Sequence, residues 1–152
     1  MKVRVYADTS VLGGCEDDEF RGPSIKLLDA FARGDLTLVL SELTLRELDT
    51  APSAVRKRIA GIPEALIELL ELSAEAQELA QAYIQDGAIG AAMRIDALHI
   101  ALATIARVDV LVSWNFRHIV NLRRIHAYNA VNLKKGYPLL EIRSPWEVLG
   151  NE

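Results

Sequence analysis

The sequence contains a single cysteine, no long apolar run and only a small excess of negative charge. Cys15 alone cannot form an internal disulfide or a structural zinc site, which argues against a disulfide-stabilised secreted protein. No apolar stretch approaches the roughly 20 residues that a membrane-spanning helix needs. The first residues, MKVRVYADTSVLGG, interleave charges with valines where a signal peptide would need an unbroken apolar segment. We therefore expect a cytoplasmic protein with no membrane partner.

The composition that remains is that of an ordinary globular protein. Of the 152 residues, 51% are hydrophobic and 25% are charged, which excludes intrinsic disorder and collagen-like repeats. A chain of this length suits one domain, because two would each be too small to bury a good core. We therefore expect a single domain over residues 1–152. The net charge of −4 argues against a general nucleic-acid coat protein but leaves room for a local basic patch.

Short apolar runs alternate with stretches of helical periodicity along the chain. The runs predict strands at 3–7, 36–40, 110–113 and 139–142. Helical spacing with caps and stops predicts helices at 23–33, 41–51, 53–60, 73–86, 96–106 and 122–135, and a closing helical turn at 144–145. The stretch 62–72 fits either a strand or a helix. This alternation predicts an α/β domain with a central parallel sheet of about four to five strands flanked by helices.

Four polar side chains stand next to predicted strands or open predicted helices, each flanked by apolar residues. They are Asp8 after the first strand, Glu47 in the helix after the second, Asp96 in the first turn of the central helix and Asn115 after the third strand. In an open parallel sheet, ligands bind beyond the carboxyl ends of the strands, near the point where strand order reverses. Acids that converge there without a basic partner repel one another. A divalent cation that prefers oxygen ligands, Mg²⁺ or Mn²⁺, relieves the repulsion.

Each of these residues alone has an ordinary structural explanation. Asp8 fits the cap of a turn, and Asp96 suits the first turn of a helix. Glu47 alone is typical of a surface position, and Asn115 of a turn. His99, three positions after Asp96, is more typical of a packed core histidine than of a catalytic one. Only the order and context of the four residues together point to a site.

The motifs around these residues resemble those of the PIN-domain nucleases, and among them the VapC-like group. The resemblance covers nearly all of the chain and rests on YADTSVLGG, SELTLREL, DALHIALA and DVLVSWNF. It implies a PIN-like α/β domain. In that family, an aspartate of the first strand, a glutamate after the second and an aspartate opening the central helix bind metal. The resemblance therefore implies that Asp8, Glu47 and Asp96 bind Mg²⁺ or Mn²⁺.

The sequence departs from the family pattern after the third strand. Ser113 matches the family's hydroxyl residue, but Asn115 stands where a fourth acid is usual. An amide oxygen can ligate a metal or hold its water but adds no negative charge, so we expect a second metal ion to bind weakly. The resemblance implies a catalytic role for Asn115 beside the three acids. Ser113, Thr9 and Ser10 would donate hydrogen bonds that hold the carboxylates, although ordinary turn bonding explains Thr9 and Ser10 equally well.

One window of the sequence lacks acids altogether. The window from Val110 to Leu140 contains no aspartate or glutamate. Its basic and histidine residues are Arg117, His118, Arg123, Arg124, His126, Lys134 and Lys135. Because phosphate contacts come mainly from lysine and arginine, the five lysines and arginines are predicted to bind the backbone of RNA. Trp114 and Tyr128 are candidates for stacking on unpaired bases. A solvated basic helix and a core tryptophan are the alternatives.

The residues and the resemblance together predict a Mg²⁺-dependent ribonuclease that hydrolyses single-stranded RNA. The resemblance further implies a homodimer, and a toxin whose small antitoxin partner would cover the acidic site. Because Asn115 replaces an acid, a PIN-like domain of low or no activity that binds nucleic acid or serves in assembly is the alternative. A phosphatase with Asp8 as its nucleophile is disfavoured, since Asp-Thr-Ser-Val lacks the second aspartate two positions on.

Overall fold

The structure, a computed structural model, describes residues 2–150. The predicted domain over 1–152 extends past that range by Met1, Asn151 and Glu152, which lie outside the described residues. The strands are β1 Arg4–Ala7, β2 Thr37–Ser41, β3 Ile67–Leu70, β4 Val110–Val112 and β5 Ile142–Arg143. The α-helices are α1 Thr9–Gly13, α2 Arg21–Arg33, α3 Glu42–Leu48, α4 Ser53–Ala60, α5 Ala74–Gln85, α6 Arg94–Ile105, α7 Leu122–Lys134 and α8 Pro145–Leu149.

All five strands run parallel in the order β3-β2-β1-β4-β5. The chain builds the sheet outward from β1 through β2 to β3, then returns to add β4 on the other side of β1. The strand order therefore reverses between β1 and β4, where Ala7 pairs with Val112. The residues that follow these two strands lie at the switch point, where ligands of open α/β sheets bind.

The predicted α/β architecture is confirmed, and the ambiguous stretch is resolved. Residues 62–72 contain a short 3₁₀ turn and then β3, which makes five strands. The last strand lies at Ile142–Arg143, later than the predicted 139–142. The sequence reading also missed α1, which Asp8 caps by accepting a hydrogen bond from the Val11 N–H at 3.3 Å. The capping role considered for Asp8 is therefore real, and it fixes the carboxylate just past β1.

Helices cover both faces of the sheet, so every central strand is buried. Alternate strand residues point to opposite sides: Tyr6, Val39 and Leu111 pack with α5 and α6, while Val5, Leu38 and Val110 pack with α2. Helix α6 is buried from Ala97 to Thr104, which explains its nearly all-apolar sequence. None of the helices within residues 2–150 combines the length and apolarity needed to cross a bilayer.

Candidate metal and phosphodiester site

The fold brings Asp8 and Ser113 together across the switch point. Asp8 follows β1 and is only 4% exposed. Its two carboxylate oxygens accept hydrogen bonds from the hydroxyls of Ser10 and Ser113, both at 2.6 Å. Those hydroxyls are fixed in turn, because the Trp114 N–H donates to Ser10 and the Asn115 N–H donates to Ser113, both at 2.9 Å. The carboxylate of Asp8 is therefore held rigidly from both sides.

Asp96 joins this group through Asn115. The Asn115 side-chain NH₂ donates to an Asp96 oxygen at 3.4 Å. Its oxygen instead accepts the backbone N–H groups of Arg117 and His118, at 3.2 and 2.9 Å. Because only an oxygen can accept these two bonds, the turn fixes the amide so that its nitrogen faces Asp96. We call Asp8, Ser10, Ser113, Asn115 and Asp96 the aspartate cluster.

Glu47, in the last turn of α3, has a different set of partners. Its Oε1 accepts from the Thr9 hydroxyl at 2.8 Å and lies 2.6 Å from Nε2 of the buried His99. The other ring nitrogen of His99 lies 2.7 Å from the Tyr6 hydroxyl, which also contacts Ser41 at 2.8 Å. Since an ionised carboxylate can only accept, the Nε2 hydrogen points at Glu47. We call Glu47, Thr9, His99, Tyr6 and Ser41 the glutamate cluster.

The two clusters differ in their electrostatics. Burial is the main influence on Asp8 and Asp96 and raises the pKa of both carboxyls, although the hydroxyls around Asp8 and the histidines near Asp96 oppose the shift. Burial also acts to raise the pKa of Glu47. There, however, the hydrogen bond and charge of His99, with the Thr9 bond, outweigh the effect of burial, so the pKa of Glu47 is lowered. No arginine or lysine within residues 2–150 forms an ion pair with any of the three acids.

The sequence placed His118 in the acid-free window but did not indicate that it lies near Asp96. Its ring interacts with the charge of Asp96, and its Nδ1 is buried without a hydrogen-bond partner among the described residues. The signal was present in the sequence as Asn115-x-x-His118. An asparagine that caps a turn with its oxygen fixes the residue three positions later.

The chemistry of the aspartate cluster suits a hard divalent cation. Asp8 and Asp96 are carboxylates that form no ion pair with an arginine or lysine of the described chain. The Asp8 oxygen that is bonded to Ser113 retains a free lone pair, whereas the other oxygen accepts from both Ser10 and Val11. Mg²⁺ is commonly held by one or two carboxylates and keeps several waters. A ready three-ligand site is absent, since no three His, Cys, Asp or Glu side chains of residues 2–150 are grouped to hold an ion. Glu47 is instead engaged with His99.

The predicted basic strip separates into two parts. Arg117, Arg123 and Arg124 line a pocket of about 300 Å³ at the start of α7, and no acid lines it within the described residues. Arg124 is anchored there by donating to the Ala88 carbonyl at 2.9 Å. We call this the arginine pocket. At the other end of α7, the surroundings of the lysines are acidic: Lys134 pairs with Asp86, and Lys135 lines a groove with Glu75 and Glu78.

The two aromatic residues considered for base stacking are both in the core. Trp114 is 5% exposed and donates its indole N–H to Ser24, and Tyr128 is fully buried with its hydroxyl on the His118 carbonyl. The stacking expectation was therefore wrong for both residues. Trp114 follows a strand and Tyr128 lies on a basic helix, but neither position in the sequence shows whether the ring is buried.

A five-stranded parallel sheet of this order, with acids gathered at its switch point, defines a PIN-like domain. Solved structures of toxins with that fold resemble the chain. VapC20 of Mycobacterium tuberculosis, a sarcin–ricin loop cleaving toxin, matches with a TM-score of 0.54 and 16% identity over 70% of this chain and 86% of its own. VapBC2 from Rickettsia felis, bound to a DNA fragment from its promoter, matches with a TM-score of 0.58 and 15% identity over 95% of this chain and 99% of its own.

A toxin–antitoxin complex from Klebsiella pneumoniae matches with a TM-score of 0.60 and 16% identity, over 93% of this chain and 98% of that one. No protein-family model matches the sequence, and no curated protein matches it. At these identities the likeness establishes the fold, and the predicted PIN-like architecture is confirmed.

Proposed function

We propose that this protein is a Mg²⁺- or Mn²⁺-dependent ribonuclease that hydrolyses phosphodiester bonds in single-stranded RNA. The observation that carries the proposal is the aspartate cluster. Two carboxylates, Asp8 and Asp96, lie at the switch point of a PIN-like sheet and are linked through Ser113 and Asn115. Neither forms an ion pair with an arginine or lysine of residues 2–150. Such carboxylates are costly to bury unless a cation binds to them.

Seven residues of the two clusters have definite roles in this proposal. Asp8 and Asp96 hold the ion, and the hydroxyls of Ser10 and Ser113 keep Asp8 in place. A divalent ion held by these two carboxylates would lower the pKa of a water and would offset charge on the scissile phosphate. The ionised Glu47, oriented by Thr9 and His99, accepts a hydrogen bond from the attacking water.

The arginine pocket gives the proposed substrate its backbone contacts. Arg117 comes two residues after Asn115, so the pocket begins next to the aspartate cluster. Three arginines without an acid among the pocket's described residues suit the phosphates that flank the cleaved bond. Lys134 and Lys135 were predicted to bind RNA as well, but acids surround them, so their contribution should be small.

The biological setting proposed is that of a toxin, by analogy with the structures of the same fold. VapBC2 and the Klebsiella pneumoniae protein were solved as toxin–antitoxin assemblies. We propose a protein antitoxin as a partner of this chain, one that covers the acidic edge of the sheet. A homodimer and a cytoplasmic location, both predicted from the sequence, belong to the same proposal.

The test of the ribonuclease is substitution at the aspartate cluster. We expect Asp8→Asn and Asp96→Asn each to reduce Mg²⁺-stimulated cleavage of single-stranded RNA by at least about 100-fold, because the ion loses a charged ligand. Circular dichroism should show an unchanged fold. Asp29→Asn, an exposed acid on α2, is the matched control and should cleave like the parent. Equal activity in all four proteins would refute the mechanism.

A second candidate function, a PIN-like domain that binds nucleic acid or serves in assembly without cutting, is favoured by Asn115. The Asn115 NH₂ donates to Asp96, whereas an aspartate at position 115 would turn an oxygen toward Asp96 that would help to hold a second ion. RNA binding in EDTA without cleavage in either Mg²⁺ or Mn²⁺ would favour this candidate. Cleavage that Mn²⁺ supports would exclude it.

A further inference from the structure

Four aromatic rings from three parts of the chain form one cluster beside the aspartate cluster. Phe20 stacks on the buried Trp114 with ring centroids 4.2 Å apart and planes at 13°. Phe116 and Trp146 lie nearly parallel, at 6.1 Å and 18°, and each contacts Trp114 edge-on. Phe116 is 42% and Trp146 is 48% exposed. The cluster therefore has a buried member, Trp114, that fixes its position and two partly exposed rings, Phe116 and Trp146.

A groove connects this aromatic cluster with the proposed catalytic residues. Its volume is about 440 Å³, and it is lined by Ser10, Gly13, Gly14, Asp17, Phe20, Trp114 and Asn115. Ser10 donates to Asp8, and Asn115 donates to Asp96, so two of the groove's lining residues are hydrogen-bonded to the aspartates. A ligand in this groove would lie against aromatic rings while its neighbouring group reached the aspartate cluster.

Two glycines shape the groove in different ways. A Cβ at Gly14 would lie 2.4 Å from the Ser24 hydroxyl and 2.9 Å from the Trp114 indole nitrogen, so glycine is required for Trp114 to pack there. A Cβ at Gly13 would meet no atom within 4 Å, and its φ of −74° suits any residue. Gly13 thus leaves space over the groove floor that a side chain could fill without disturbing the fold.

The chemistry of the groove favours a nucleobase over a phosphate. Its only charged lining residue among those described is Asp17, which repels phosphate but accepts hydrogen bonds from base amino groups. The positive charge lies elsewhere, in the arginine pocket, which begins at Arg117 directly after Phe116. Stacking on aromatic rings is how proteins bind unpaired bases without strict sequence selection. A base in the groove and phosphates on the arginines would place the intervening phosphodiester near the aspartates.

We propose that the groove beside Phe20, Phe116 and Trp146 is a binding subsite for an unpaired nucleobase adjacent to the cleaved bond. This inference rests on the proposed ribonuclease function and names the part of the substrate that fixes the position of the cut. Phe20 lines the groove and contacts Phe116 and Trp146, whose partly exposed rings extend the stacking surface beside it. Asp17 accepts from the edge of the base.

Binding without metal tests this subsite separately from catalysis. The probe is an oligoadenylate of eight residues in EDTA, and inorganic polyphosphate serves as a probe of charge alone. The protein has two tryptophans, of which only Trp146 is exposed, so quenching of tryptophan fluorescence by the RNA reports on stacking there. We expect Phe116→Leu and Gly13→Leu each to weaken oligoadenylate binding about 5- to 20-fold and to reduce the quenching. Polyphosphate binding should be unchanged.

Matched variants at the same two positions separate stacking from general packing. Phe116→Tyr retains a flat ring and should bind like the parent, whereas Phe116→Leu retains apolar bulk without a ring. Gly13→Ala adds only a Cβ in open space and should also bind like the parent. The double variant Arg123→Gln/Arg124→Gln should weaken both probes.

Three results would overturn the subsite. They are unchanged oligoadenylate binding in Phe116→Leu and Gly13→Leu, equal loss in Phe116→Tyr and Phe116→Leu, and no RNA binding by the parent protein. The first would favour a protein partner on the aromatic cluster instead. Base binding that responds as expected, in a protein that cuts no RNA with Mg²⁺ or Mn²⁺, would support the subsite and refute the ribonuclease.

Discussion

Asp8 and Glu47 lie at the same edge of one sheet, yet their pKa values are displaced in opposite directions. Asp8 is buried among hydroxyls, and desolvation raises its pKa. Glu47 is less buried and is bonded to His99, which together with Thr9 lowers its pKa against the effect of burial. The aspartate cluster therefore contains negative charge without an arginine or lysine partner in the described chain. In the glutamate cluster, a histidine provides a hydrogen-bond donor for the charge.

The two acids are therefore stabilised differently at the sheet edge: Glu47 by hydrogen bonds within the protein, and Asp8 only partly so. The glutamate cluster is complete as it stands, because both ring nitrogens of His99 have partners. The aspartate cluster is complete only when something positive binds to it. The metal should therefore bind first and mainly to Asp8 and Asp96, and Glu47 should orient a water or substrate group more than hold the ion. Four predictions test this division, in order of decreasing effect on stability.

Removing the histidine should damage the glutamate cluster alone. His99→Leu keeps the volume of a side chain that is 3% exposed but leaves Glu47 and Tyr6 each without one hydrogen bond. We expect the free energy of unfolding to fall by about 2–3 kcal/mol, measured by urea denaturation. His99→Gln, which retains a polar end, should recover part of the loss. A metal-induced stabilisation that disappears in His99→Leu would contradict the division into two clusters.

Adding metal should stabilise the protein through the aspartate cluster. At Mn²⁺ ten times its dissociation constant, the free energy of unfolding should rise by about 1.4 kcal/mol, measured as a shift in thermal melting. Asp96→Asn should abolish the shift, and Glu47→Gln should keep most of it. Asp29→Asn serves as the control. Equal loss in Asp96→Asn and Glu47→Gln would show that the ion is held by both clusters together.

The sequence was sufficient to predict the fold and to place the residues that follow β1 and β4 at one edge of the sheet. Strand runs that end in Asp8 and Ser113 place those residues at one edge of any parallel sheet, so Asp8, Ser113 and Asn115 could be brought together from the sequence alone. Helix α1 was missed because its Thr-Ser-Val-Leu-Gly sequence has little helical propensity, and a cap from Asp8 stabilises it instead.

The sequence was not sufficient to predict side-chain orientation. The local pattern Asn115-x-x-His118 indicates a turn capped by the Asn115 oxygen, but it does not indicate that the NH₂ then faces Asp96, 19 positions away. The bond between His99 and Glu47 joins residues 52 positions apart. Exposed Phe116 and buried Trp114 are two positions apart in one motif, and packing against Phe20 and Trp146 decides which ring is covered.

Restoring an acid at position 115 should sharpen the contrast between the clusters. In Asn115→Asp, one carboxylate oxygen can still accept the N–H groups of Arg117 and His118, while the other faces Asp96 in place of the NH₂. The added repulsion should lower the metal-free stability by about 1 kcal/mol. The same charge should tighten Mn²⁺ binding, measured by calorimetry. Unchanged affinity would show that position 115 does not face the ion.

The smallest effect is a pH dependence that belongs to Asp96. Because its pKa is raised by burial, the native protein holds more protons than the unfolded chain between the ordinary aspartate pKa, about 3.9, and the higher native value. The free energy of unfolding contributed by Asp96 is therefore fully present below that window and is lost as pH rises through it.

The experiment measures the free energy of unfolding of the parent and of Asp96→Asn in EDTA at a series of pH values. The difference between the two proteins at each pH is the contribution of Asp96, because the opposite contribution of Glu47 is common to both. The difference should decrease with rising pH and then level off, and Mn²⁺ at neutral pH should reverse the decrease, because the bound ion favours the ionised carboxylate. A difference that increases with pH would mean that Asp96 already has a cationic partner, and the need of this cluster for a metal would be disproved.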